Sequence, residues 1–76
     1  NAPQSDIILA NINKNVILDN LVHLKNGLNP GGILLLSGLL TTDEADILQA
    51  AQQLGLKLTG KEELNKWICI KLEARS

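Results

Sequence analysis

An α/β fold with element order β-α-β-α-β-β is predicted by three features of this 76-residue chain. Two unbroken apolar runs, Ile7 to Ala10 and Ile33 to Leu36, lack polar alternation and read as strands buried on both faces. Each is followed by apolar residues at a 3.6-residue period, the mark of a helix with one buried face. The chain then ends in two strand-like stretches whose link is too short for a crossover, so these pair antiparallel.

The first strand, Ile7-Ile8-Leu9-Ala10, follows a Pro/Ser/Asp lead. Asn11, Asn13 and Asn15 come next, and Asn both forms turns and caps helix N-termini, so the chain passes here from strand to helix. In that helix Ile17, Leu21, Leu24 and Leu28 form one stripe, with Lys14, Asp19 and Lys25 outside it. Asn29-Pro30-Gly31-Gly32 is expected to stop the helix in a turn, since Pro cannot continue it and a Gly after Pro permits the positive φ of a type II turn. Ile33 to Leu36 is the second strand, running on through Ser37-Gly38 into Leu39-Leu40. Thr41 to Glu44 reads as a capping box, the hydroxyl accepting from the N–H near Glu44 while that carboxylate reaches back. The second helix carries Ile47, Leu48, Ala51 and Leu54 on its apolar stripe and ends at Gly55, suited to a left-handed cap. Leu56 to Thr59 alternates as a strand, Gly60 to Asn65 carries turn chemistry and charge, and Trp67 to Leu72 forms the last strand.

Two consecutive strand–helix crossovers of this length give parallel strands with right-handed connections, which places both helices on one face of the sheet. Nothing in the chain then covers the opposite face, although Ile33 to Leu36 and Trp67 to Leu72 carry apolar residues pointing both ways. The sequence is therefore read as a single partial domain, 1–76, with 1–5 as a linker or an expression scar. A chain opening on Asn1 rather than Met fits a piece cut from something longer.

Composition narrows the function. The chain is 45% hydrophobic with 7 Lys+Arg against 8 Asp+Glu, and a net charge of -1 lacks the basic footprint of phosphate-mediated nucleic-acid binding. One cysteine cannot form an internal disulfide, and one Cys with one His cannot supply a Cys/His zinc site. No apolar run approaches the roughly 18 residues that span a bilayer, so no membrane partner is expected and the location expected is cytoplasmic.

Several residues invite functional readings that their contexts do not support. His23 lies two residues beyond Leu21, on the polar side of its helix and without a second ligand, and reads as a surface histidine. Cys69 alternates within an apolar strand and reads as a buried, inert thiol. Trp67 is expected in the core between hairpin and helix. Asp6 is at the wrong end of its strand for a ligand site and reads as structural. Lys57, Lys61, Glu62, Glu63 and Lys66 read as a solvated hairpin tip, and Asn13 and Asn15 as helix caps. Asn11 stays open: it can merely close a strand-to-helix turn, or serve a site, because ligands of open α/β sheets bind at the C-terminal ends of parallel strands.

Asp6-Ile7-Ile8-Leu9-Ala10-Asn11-Ile12, the Pro30-Gly31-Gly32 turn, Gly31 to Gly38 (Gly-Gly-Ile-Leu-Leu-Leu-Ser-Gly) and Asn65-Lys66-Trp67 together resemble the C-terminal half of a class I S-adenosylmethionine-dependent methyltransferase. More narrowly they resemble the family that methylates the eleventh protein of the large ribosomal subunit, over nearly the whole chain. The resemblance implies a Rossmann-like sheet of order 3-2-1-4-5-7-6, of which this chain supplies a mixed sheet of strands 4-5-7-6. It also implies that Asn11 contacts the cofactor and orients an amine nucleophile by positioning, not by covalent chemistry. Nucleobase methyltransferases follow such an Asn or Asp with Pro-Pro and an aromatic; here Ile12 and Asn13 follow, which favours a protein amine.

The family's glycine-rich loop and the acidic residue that holds the cofactor ribose have no counterpart in this sequence, and no G-x-G-x-x-G occurs. The expectation is thus a ribosomal-protein N-methyltransferase whose missing N-terminal half completes the site, with weak or absent S-adenosylmethionine binding by this chain alone. A half-domain serving as a binding or assembly module, and an RNA methyltransferase, are the alternatives. A bare apolar face on so short a domain further predicts that the isolated chain is a homo-oligomer.

Overall fold

The strand–helix alternation read from the apolar pattern recurs in a computed structural model, which describes residues 4–74. In chain order the elements are β1 (Ser5–Asn11), α1 (Lys14–Asn26), β2 (Leu28–Leu40), α2 (Glu44–Gln53), β3 (Leu56–Leu64) and β4 (Trp67–Ala74), with a 3-10 turn over Thr41–Asp43 leading into α2. The four strands form one sheet of order β1-β2-β4-β3. β1 runs parallel to β2, and β4 runs antiparallel to both β2 and β3. This is the mixed sheet expected for family strands 4-5-7-6.

Burial is one-sided. Leu34 and Leu36 of β2 and Ile70 and Leu72 of β4 are fully buried, packed in one cluster with Ile17 and Leu21 of α1 and Ile47 and Ala51 of α2. Their neighbours on the strands, Ile33, Leu35, Cys69 and Lys71, are only half-buried. Both helices therefore lie over the same face. Each fully buried Leu or Ile contributes about 1.5–3 kcal/mol. The other face is open: Ile7 and Leu9 are 58% and 74% exposed, so the first apolar run is not buried on both sides as its lack of alternation suggested.

Trp67 also departs from expectation, being 56% exposed instead of filling the core. Its neighbour Ile68 takes the inward position, and because strand side chains alternate, Trp67 must face out. Cys69, on the same outward set, is half-buried and not enclosed.

Helix α1 stops earlier than the Pro30 signal implied. The Gly27 N–H donates to His23 O at 3.0 Å and Leu24 O at 3.2 Å, and Gly27 O accepts from Ser5 N–H at 2.8 Å, so Gly27 already joins the sheet edge. Leu28, the supposed last member of the helical stripe, is the first residue of β2 and is buried there. Asn29 to Gly32 is not a helix-ending turn but an irregular stretch of β2, which swings outward between the pairs Ser5↔Leu28 and Ile7↔Ile33. Gly31 takes φ +80 there. Asn29 Nδ2 donates to Asp6 Oδ1 at 2.7 Å, which gives Asp6 its structural role.

At the start of α2 the capping frame is shifted by one residue. Asp43, not Glu44, reaches back, its Oδ2 accepting from Leu40 N–H at 3.1 Å. Glu44 is thereby released to pair with Lys61 at 3.0 Å. Lys14 joins the two helix starts through Asp46 at 3.1 Å and Asp43 at 3.9 Å. Gly55 ends α2 with φ +78, as expected of a left-handed cap.

The hairpin is tighter than its charge suggested. β3 continues through Gly60, Lys61, Glu62, Glu63 and Leu64, and only Asn65 and Lys66 turn the chain before Trp67 pairs with Leu64. Asn65 adopts φ 57, a left-handed value that Asn tolerates. β3 is an edge strand, where charged side chains are tolerated and discourage further pairing. Of the five N-terminal residues expected as a linker, 1–3 lie outside the described residues, while Ser5 opens β1.

Asn13 caps α1, its Oδ1 accepting from Val16 N–H at 3.0 Å, whereas Asn15 sits exposed inside the first turn and caps nothing. Asn13→Ala should therefore cost about 1 kcal/mol in denaturant unfolding. Asn15→Ala should be close to neutral. Equal losses from both would show that the cap is misassigned.

Candidate functional site

The carboxyl ends of the parallel pair β1 and β2 place Asn11, Ile12, Ser37 and Gly38 together. Asn11 ends β1 and pairs with Ser37 of β2. Two residues later Asn13 caps α1, so Asn11 is held between a strand ladder on one side and a helix start on the other. Ile12 anchors this short link by packing against the core. Ala10 faces the core and is buried, which turns Asn11 to the open side of the sheet, where it is exposed.

β2 is bulged at this level. Leu36 pairs with Ile70 but Leu39 pairs with Ile68, so β2 carries one residue more than β4 between the two pairs. Gly38 lies in the bulge with φ +77 and lies against the Asn11 carboxamide. Beyond it an open depression of about 340 Å³ is lined by Ser37, Gly38, Glu62, Glu63, Leu64, Trp67, Ile68 and Cys69. The site is thus a small polar tip, Asn11 and Ser37, beside a shelf that carries the exposed ring of Trp67 and that Glu62 and Glu63 also line.

The other singled-out residues lie elsewhere. Asp6 is at the opposite end of β1, and His23 is exposed on the last turn of α1. Lys61 lies on β3 against the start of α2, and its ammonium is held above its usual 10.5, first by the hydrogen bond and charge of Glu44 and then by Glu63, with desolvation opposing. A raised lysine pKa stabilises the fold below about 10.5, and the effect is lost as the pH climbs past the folded value. With the group exposed to solvent, this ion pair links β3 to the start of α2 and contributes little to stability.

The described residues do not complete a cradle for S-adenosylmethionine. Asn11 and Ser37 are the polar side chains that β1 and β2 bring to this end. The carboxylate just beyond β2, Asp43, is engaged by Leu40 N–H at 3.1 Å and lies 3.9 Å from Lys14, so it is not free to hold a ribose diol. Among the described residues no group of three His, Cys, Asp or Glu side chains could hold a metal ion, and no helix is long and apolar enough to cross a membrane.

The contribution of Gly38 was not drawn from the sequence. Its signal was present, since an isolated glycine in a strand marks a bulge or a close approach of two chain segments.

Comparison with known proteins gives the family and the fold. A family model described as ribosomal protein L11 methyltransferase (PrmA) matches residues 1–75. The ribosomal protein L11 methyltransferase of Porphyromonas gingivalis is 39% identical over 69 residues, which are 91% of this chain and 24% of that protein. That of Staphylococcus haemolyticus is 32% identical over 65 residues, 86% of this chain and 21% of that protein. The crystal structure of a ribosomal protein L11 methylase from Lactobacillus delbrueckii subsp. bulgaricus superposes with a TM-score of 0.92 at 25% identity, covering 99% of this chain and 39% of that one. The chain spans about a quarter of the length of the curated relatives it matches.

Proposed function

Since the chain belongs to the ribosomal protein L11 methyltransferase family, we propose that it forms the C-terminal half of the catalytic domain of an S-adenosylmethionine-dependent N-methyltransferase acting on a ribosomal protein. The observation that carries this reading is the place of Asn11, at the C-terminal tip of a parallel strand and turned to the open side of the sheet. Ligands of open α/β sheets bind at this end.

The cofactor, when bound to the whole domain, supplies an electrophilic methyl group. The contribution of this chain is geometric. A carboxamide oxygen on Asn11 accepts one N–H of the incoming amine and thereby aims the nitrogen lone pair. Restricting the amine in this way lowers the barrier through orientation, with no bond made to the protein. Trp67 and Leu64 give the neighbouring depression an apolar wall against which the protein substrate would lie. The cofactor's ribose and adenine contacts would come from the N-terminal half of the domain, as Asn11 and Ser37 alone do not provide them.

The open face has its own consequence. Ile7, Leu9, Leu64 and Trp67 are all more than half exposed, and β1 has no strand on its outer edge among the described residues. The 76-residue chain on its own would cover these surfaces by pairing with a second copy. Sedimentation equilibrium of the isolated chain should therefore show self-association. A strictly monomeric chain at high concentration would overturn that expectation.

Two measurements test the enzyme reading. In the intact parent protein, Asn11→Ala should lower turnover by about 10²-fold, the scale of a lost positioning contact, while the thermal midpoint stays in place. Unchanged turnover would remove Asn11 from the site. Calorimetric titration of S-adenosylmethionine should show binding by the parent and weak or no binding by this chain. The same open apolar face would serve a non-catalytic assembly module, and absence of binding by both proteins would decide for that reading.

A further inference from the structure

We propose that Gly38 is a positioning residue for Asn11, its missing side chain leaving the slot in which the Asn11 carboxamide rests; this rests on the role given to Asn11 above. A Cβ placed on residue 38 would overlap Asn11 Oδ1 and lie 3.5 Å from its Cγ. No methyl group fits there while the carboxamide keeps its place. Among the described residues no side-chain hydrogen bond holds that exposed carboxamide, and it lies against the backbone of the neighbouring strand. That backbone is the β2 bulge between Leu36 and Leu39.

Two other glycines separate this contact from backbone freedom. Gly31 and Gly55 share the left-handed conformation, with φ +80 and +78 against +77 for Gly38. A Cβ at either would meet nothing within 4 Å. Those two positions need glycine for conformation alone. Gly38 needs it for conformation and for the space that Asn11 occupies, and the difference between Gly38→Ala and Gly55→Ala isolates the second requirement.

The test uses the intact parent enzyme carrying G38A, G55A, N11A and the G38A/N11A pair. G38A should lower kcat by about 10²-fold, the cost of displacing a group that orients the reactants, with a much smaller change in KM. G55A should keep a kcat close to that of the unmodified enzyme. The pair should be no slower than N11A alone, because G38A acts through a side chain that N11A has already removed. A G38A enzyme with normal kcat, or losses that multiply in the pair, would overturn the proposal.

Thermal unfolding gives a readout independent of turnover. Because the atom displaced is the free end of an exposed side chain, the excess loss of midpoint in G38A over G55A should be small, and it should vanish in the N11A background, where the clash is absent. If N11A keeps full turnover, the function given to Asn11 fails, yet this thermal coupling still decides whether Gly38 seats it. Should G38A fail to fold, the proposal requires the G38A/N11A pair to fold; failure of the pair while G55A folds would overturn it.

Discussion

The antiparallel pairing of β2 with β4 is the constraint from which the other features follow. It brings Leu34 and Leu36 beside Leu72 and Ile70, and these four fully buried side chains are the floor on which both helices pack. Their removal from water is the main stabilising term available to a domain that has no disulfide among its described residues. Because β4 takes the place beside β2, β3 is pushed to the edge, although the helical crossover through α2 delivers it parallel to β2. The order β1-β2-β4-β3 is thus the result of a short hairpin inserting its second strand into the sheet. On the other side β1 keeps its parallel partner, and the parallel pair is where the polar tip forms.

The two irregularities of β2 divide its work. Near its start, Asn29 to Gly32 swings outward and is fastened to Asp6, which ties the entrance of the strand to the entrance of β1. Near its end, the bulge at Ser37-Gly38 brings backbone against the exit of β1, where Asn11 lies. Between them Ile33 to Leu36 keeps regular pairing with both neighbours. The regular middle makes the core and the irregular ends meet the termini of β1. A strand of uniform geometry would put a side chain where Gly38 leaves room.

Much of this was legible in sequence because the signals were periodic. The stripes Ile17–Leu21–Leu24 and Ile47–Leu48–Ala51 reported helix faces, and Trp67 to Leu72 reported a strand. Where the sequence misled, the apolar signal was a true report of burial attached to the wrong element: Leu28 is buried, but as the first residue of β2. The charged stretch Lys61 to Glu63 looked like a turn because an edge strand accepts charge that an interior strand would exclude. The capping frame at Thr41 to Glu44 missed by one residue, since Asp and Glu serve equally in such a pattern and only the path of the chain selects Asp43. At the candidate site, Asn11 was visible through its place at a strand end and through family resemblance. The contact with Gly38 was not, because sequence spacing cannot show which residue of a neighbouring strand lies against it once a bulge has shifted the register.

The open face links these observations to function. Ile7 and Leu9 of β1, together with Trp67 of β4, point away from the helices, and such side chains gain nothing from the packing that stabilises the opposite face. Half-exposed sheets normally alternate apolar and polar residues, while continuous apolar strands belong to sheets covered on both sides. The sequence of β1 and the middle of β2 is of the second kind, yet the described residues cover one side only. A sequence written for two covering layers and a chain that provides one are reconciled when the second layer comes from outside these residues. Asn11 faces that same open side, two residues beyond Leu9 on the strand, so a layer laid over Leu9 lies next to the polar tip as well.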